Sequence, residues 1–217
     1  MKRIKDIFFT LLAIALVVLI PHSGIIPIPF AYCIPVLAIV WFFLKQQKED
    51  FASIGFSFRR FQPKALLVGA LTAVVLFFFL NKLFFPLLAK IIDLPAADLG
   101  SFANIKGNTG FYIFLLAMGW IVGGFYEEIV FHGFIFTRIE KHIAGKLAMP
   151  VAFFLSNLIF ALYHLQLGVE GVINAFIAGS VYHGLMLYYK RNMWYAVFCH
   201  AFFDTIALTA LYTGYGS

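Results

Sequence analysis

Glu127 and Glu128 stand side by side within an apolar stretch, and His132 follows four residues after Glu128. His164 lies near the end of a second apolar stretch, and His200 and Asp204 sit four residues apart in a third. A charge in hydrocarbon costs about 2.5–3.5 kcal/mol on insertion scales, so ionisable groups kept there usually face a protein interior and do a job in it. On a helix, Glu128 and His132 share a face as i, i+4 neighbours, and so do His200 and Asp204. Glu127 points about 100° away from Glu128. One carboxylate can therefore serve a reaction while the other pairs with His132. A carboxylate and an imidazole around one water can take its proton and make it a nucleophile. A second imidazole with a neighbouring carboxylate can stabilise an oxyanion. The residue types leave a second chemistry open: Glu127, His164 and His200 suit a catalytic zinc, with one coordination position left for water. The H-E-x-x-H pattern of the zincins is absent.

The elements that must carry these groups belong in a membrane. The chain has 217 residues, of which 63% are apolar and only 12% charged. Soluble domains average about 45–50% apolar and about 25% charged. The expectation is a single membrane-embedded domain over 1–217, with N-terminal spans and loops in 1–110 and a motif-bearing core in 111–213. A spanning helix needs about 20 apolar residues, and seven such spans are predicted. They cover 5–21, 25–44 (irregular at Pro27, Pro29 and Pro35), a stretch from Ala65 to beyond Leu80, and stretches within 112–138, 149–167, 171–189 and 193–213. The fold class is an all-α polytopic transmembrane bundle with a polar intramembrane chamber. Lys2, Arg3 and Lys5 ahead of an apolar run resemble a signal peptide, but no A-x-A-like site follows, so a retained helix is expected.

Charge sets the expected orientation. With the N-terminus inside, Lys82, Lys90 and Lys106 fall outside, and the rest of the 16 basic residues fall in cytoplasmic loops or at their edges. That asymmetry follows the positive-inside rule and predicts an integral protein of the bacterial cytoplasmic membrane with a cytoplasmic N-terminus. The net charge of +6 belongs to these loops and is no nucleic-acid footprint. Lipid and a peptide or protein substrate are the expected partners; oligomeric state is left open. Residues 45–64, basic with Phe51, Ile54, Phe56, Phe58 and Phe61 interleaved, are expected to lie against headgroups. Residues 81–110 are expected to form a surface helix over the outer face. Glu128 lies about 15 Å and His164 about 21 Å from the inner boundary, so tilted helices are needed to bring them together. His183 and Asn174 are assigned to packing or cavity lining.

At these residues the chain resembles the CPBP intramembrane proteases, which group type II CAAX prenyl endopeptidases with bacteriocin-processing and immunity-linked membrane proteins. Their pattern is E-E-x-x-x-R, F-x-x-x-H and H-x-x-x-N/D, each on a separate helix. Glu127-Glu128-Ile129-Val130-Phe131-His132 matches the first except at its last position, Phe160-Ala161-Leu162-Tyr163-His164 the second, and His200-Ala201-Phe202-Phe203-Asp204 the third. The resemblance covers about 115–210. It implies an intramembrane endopeptidase in which Glu127 and His164 activate water while His200 and Asp204 stabilise the oxyanion or help to hold a metal. Glu128 and His132 then stand behind them as a supporting pair. Metalloprotease and metal-independent glutamate protease both fit the motifs, so the cofactor is none or zinc. The departure is His132 where the family has arginine, which would clamp a carboxylate with a permanent charge. That departure motivates an alternative, a non-catalytic immunity or scaffold protein on the same fold. A proton-coupled transporter is a further alternative, since buried Glu and His can relay protons. The chamber is expected to open to the cytoplasm or laterally to lipid.

Overall fold

The computed structural model describes residues 2–215, with side chains from Asp6 onward; Lys2, Arg3 and Lys5 thus lie outside the described side chains. All regular structure among the described residues is helical. Seven helices follow one another: α1 (Lys2–Leu19), α2 (Cys33–Gln46), α3 (Pro63–Leu88), α4 (Thr109–His142), α5 (Ala148–Tyr163), α6 (Gly168–Tyr188) and α7 (Trp194–Thr213). From α3 onward, the five helical stretches are long and apolar enough to cross a membrane, whereas Asp6–His22 and Cys33–Gln46 are shorter apolar helices. The expected second span, 25–44, begins only at Cys33 because Pro27 and Pro29 hold residues 25–32 out of the helix; Pro35 is tolerated in the first turn, where its missing N–H costs nothing.

Helix α4 is the central post. From Val122 to Arg138 it is buried almost without interruption, as expected of a helix apolar on every side. It packs against α7, α5 and α2. Between Gly119 and Ile135 it is wound as a π-helix, with i→i+5 pairing and a wider turn than an α-helix. Such windings are mostly single turns and frequently mark functional sites.

Small residues set the tightest crossings. Ala65, Gly69 and Ala73 form a buried stripe on α3, and a Cβ on Gly69 would fall 2.6 Å from Phe198 Cβ and 2.8 Å from the Cys199 amide of α7. Without a hydrophobic drive between helices in lipid, this close backbone approach is what holds them. The opposite face of α3, with Leu67, Leu71 and Val75, is exposed.

Hydrogen bonds define two ends of the bundle. At one, Arg138 and Lys141 of α4 hold Glu49, Arg191 makes a two-pronged pair with Glu140 at 2.7 and 2.8 Å, and Arg60 donates to the carbonyls of Lys190 and Arg191. At the other, the Asp98 amide donates to the Leu167 carbonyl at 3.0 Å, His22 Nε2 to the Tyr163 carbonyl at 3.1 Å, and Thr109 meets Tyr212 at 2.9 Å.

One loop expectation is corrected and another gains detail. In residues 45–64, Ile54 is buried, Phe56 and Phe61 pack on Trp194, and the Met193 amide donates to Gly55, while Phe58 and Phe61 keep exposed faces. The indole N–H of Trp194, which donates to Ser57, anchors that inward fold. In 81–110 the helix is the tail of α3, ending at Leu88, and beyond it only Gly100–Phe102 forms a short turn.

Candidate active site

The motif residues meet at the floor of a cavity of ≈ 490 Å³. Glu127 and Glu128 leave α4 in different directions. Glu128 is fully buried and saturated: its Oε2 accepts from His132 Nδ1 at 2.7 Å and its Oε1 from His200 Nδ1 at 2.8 Å. Glu127 faces the cavity, with Oε2 lying 3.7 Å from His164 Nε2 and 3.8 Å from His200 Nε2. Those separations exceed a direct hydrogen bond and suit a bridging water. Asp204 Oδ1 stands 3.7 Å from His200 Nε2.

Each imidazole is aimed by its other nitrogen. His164, the residue that ends α5, donates from Nδ1 to the Phe160 carbonyl at 2.9 Å. His200 donates from Nδ1 to Glu128 and is stacked on the Tyr182 ring at 4.5 Å. Both rings therefore turn Nε2 toward Glu127. When the rings are neutral, two nitrogen lone pairs and a carboxylate oxygen converge, and only a proton donor or a cation can satisfy all three.

His132 stands behind this floor, four residues from Glu128 and fully buried. Asn157 Nδ2 must donate to the Phe153 carbonyl at 2.7 Å, so its Oδ1 accepts from His132 Nε2 at 3.2 Å. Both His132 ring nitrogens then donate, one to Glu128 and one to Asn157, so the imidazole gives the carboxylate one bond where an arginine fork would give two. Asn157 Nδ2 also meets His183 Nδ1 at 3.0 Å, extending the chain of contacts to α6. His183 thus joins this chain rather than lining the cavity, whereas Asn174 does line it.

Sequence reasoning missed three positions that shape the site. Gly123 faces α7: a Cβ there would overlap Asp204 Oδ2 and sit 3.3 Å from His200 Nε2. Gly119 has the Asp204 Cβ at 3.2 Å from the same imagined atom. The signal was present, because Gly119 and Gly123 form a small-x-x-x-small pair. Asn157 carried no such mark; an amide on an apolar helix shows its partner only in three dimensions.

The cavity does not open at the basic end. Its lining includes Pro21, His22, Leu99, Phe102, Gln166 and Leu211, all at the end tied by Asp98–Leu167 and His22–Tyr163, and no residue of 45–64 or 189–193. Of the two expected openings, to the cytoplasm or laterally to lipid, one through the basic loops has no lining residue behind it. The cause is α5, which stops at His164, so the site lies directly beneath the α5–α6 turn.

For a zinc ion, the donor types and their orientation fit: two Nε2 atoms and a carboxylate oxygen face one point, and the imidazoles are held from behind as metal-bound histidines usually are. Zinc bonds of about 2.0–2.2 Å would place tetrahedral ligand atoms roughly 3.3–3.5 Å apart, so 3.7 and 3.8 Å is an open version of that set. Among the described residues, no group of three or more His, Cys, Asp or Glu is drawn together closely enough to hold a metal as it stands.

A bundle of apolar helices, four of which (α4, α5, α6 and α7) line a cavity of carboxylates and imidazoles, defines an integral membrane protein with a polar site inside it. Residues 109–206 match the family model described as Type II CAAX prenyl endopeptidase Rce1-like. The match runs through α4, α5, α6 and most of α7, the stretch that carries the three motifs, and the resemblance read from them stands. No curated protein and no solved structure gives a match.

Proposed function

We propose that the protein is an intramembrane endopeptidase that hydrolyses a peptide bond of a membrane-associated substrate. The observation that carries this reading is the contrast between the two glutamates: Glu128 is saturated by two imidazoles, while Glu127 holds a water-sized gap to His164 and His200 on the cavity floor. A water in that gap gives its proton to Glu127 while His164 orients it. The oxygen then attacks the carbonyl carbon, and His200 in its doubly protonated form, with Nδ1 donating to Glu128 and Asp204 beside it, donates from Nε2 to the developing oxyanion. Glu127 returns the proton to the leaving amine. A zinc ion held by Glu127, His164 and His200 would supply Lewis acidity to the same water and carbonyl.

The match to a protease family supports the reaction class. Prenylated tails and leader-bearing peptides are the substrates that the resemblance brings. The scaffold alternative was motivated by His132, and that motive weakens because Glu128 still receives two bonds, one from His132 and one from His200. The test is cleavage of a mixed library of membrane-associated peptides, prenylated ones included, by detergent-purified protein, alongside Glu127→Gln and a chelator-treated sample. Cleavage lost in Glu127→Gln supports the reading, and loss on chelation assigns the metal. Equal cleavage by wild type and Glu127→Gln would sink it.

A further inference from the structure

We propose that substrate reaches this site from the non-cytoplasmic side of the membrane. The substrate class is then an exported or outward-facing peptide segment rather than a tail made and held on the cytoplasmic face. The part about substrate rests on the endopeptidase reading above; the part about access does not.

Two independent observations carry it. The first is the position of the opening. The exposed residues of the cavity lining include His22, Leu99 and Gln166, and the hydrogen bonds Asp98–Leu167 and His22–Tyr163 place these segments at one end of the bundle. The opposite end is shut, because residues 51–62 fold inward over Trp194 and Arg60 is bonded to the Lys190 and Arg191 carbonyls. The second observation is charge. The shut end carries Lys45, Lys48, Arg59, Arg60, Lys64, Arg138, Lys141, Lys146, Lys190 and Arg191, whereas Lys82, Lys90 and Lys106 are the basic residues toward the open end. Short loops rich in Lys and Arg stay in the cytoplasm. The end closed by basic loops is then cytoplasmic, and the opening faces away from it.

The walls agree with a peptide entering from a membrane surface. Phe30, Leu115, Met118 and Leu208 line the cavity, and they offer apolar contact to side chains flanking the bond that reaches Glu127.

The test is cysteine accessibility of the full chain in intact bacterial cells, using a membrane-impermeant maleimide before and after permeabilisation. Ser101→Cys and Gln166→Cys report the open end, and Ser53→Cys and Lys146→Cys the basic end; all four positions are exposed. The unsubstituted chain, with Cys33 and Cys199 buried, gives the background. The expected result is labelling of the open-end pair in intact cells and of the basic-end pair only after permeabilisation. The reverse pattern, or labelling of both pairs in intact cells, overturns the proposal, and two variants at each end guard against one that misfolds. The readout needs no substrate. Outside labelling together with a catalytically silent protein would overturn the endopeptidase reading and leave the access side standing.

Discussion

The two ends of this bundle are built from different materials. The basic end is stapled by charge: Arg138 and Lys141 on Glu49, Arg191 on Glu140, and Arg60 on two backbone carbonyls. The cavity end is tied by single neutral bonds such as Thr109–Tyr212 and Asp98–Leu167, and it encloses empty volume. The contrast suggests a division of labour. The stapled end fixes how α4 meets the loop after α2 and the α6–α7 turn, and the looser end leaves a path to the floor. If that holds, changes on the cavity side should alter chemistry with little effect on stability, and changes at the basic end should do the opposite.

The largest expected effect is at the floor. Glu127→Gln should lower kcat/KM by about 100- to 10,000-fold, the usual worth of a general base, with no fall in the thermal midpoint measured in detergent. A large fall in midpoint would mean that Glu127 is structural and the division fails. Next comes Gly123→Ala. The new methyl would overlap Asp204 Oδ2, and because the Asp204 side chain is 29% exposed it has room to swing aside. Moving Asp204 and His200 by an ångström should cost about 100-fold in rate, again with the midpoint kept.

At the other end, Glu49→Gln should cost about 1–3 kcal/mol of stability, because it leaves the buried Arg138 guanidinium without its carboxylate. Cleavage should persist at ordinary temperature. Burial works against the Glu49 charge, but the hydrogen bonds from Lys141 and Arg138 outweigh it and hold the carboxyl below its ordinary value of 4.5. A group lowered in the folded state stabilises above its unfolded value and loses that contribution as pH falls through the folded one. Melting followed from neutral into acid should therefore show an added loss of stability beginning below about pH 4.5, and Glu49→Gln should remove that component. The smallest effect is expected for Thr109→Val, which deletes an exposed bond to Tyr212 and should shift stability by less than about 0.5 kcal/mol. A larger shift would show that the cavity end is held more firmly than its bonds suggest.

Much of this architecture could be read from residue order, and the failures share a cause. Apolar run length revealed the helices from α3 onward, because a bilayer imposes a minimum length on any span. The i, i+4 spacing of Glu128 with His132 and of His200 with Asp204 announced shared faces, since local helix geometry determines which side chains meet. Contacts between helices were less visible. Gly123 creates the space for Asp204, Asn157 fixes how His132 is used, and residues 45–64 turn inward because Trp194, far along the chain, offers Ser57 a donor. The expected depth mismatch between Glu128 and His164 came from treating both helices as straight rods. In the structure the two helices nonetheless bring His164 Nε2 to 3.7 Å from Glu127 Oε2.

The π-wound centre of α4 has a consequence for bilayer matching. The helix contains 34 residues from Thr109 to His142, and as a regular α-helix it would be about 51 Å long, against a hydrocarbon core of about 30 Å. Placing more residues in each turn over Gly119–Ile135 shortens it along its axis and broadens it across the bundle. The excess length goes into girth, and the protein avoids part of the tilt or membrane thickening that a rod of that length would impose.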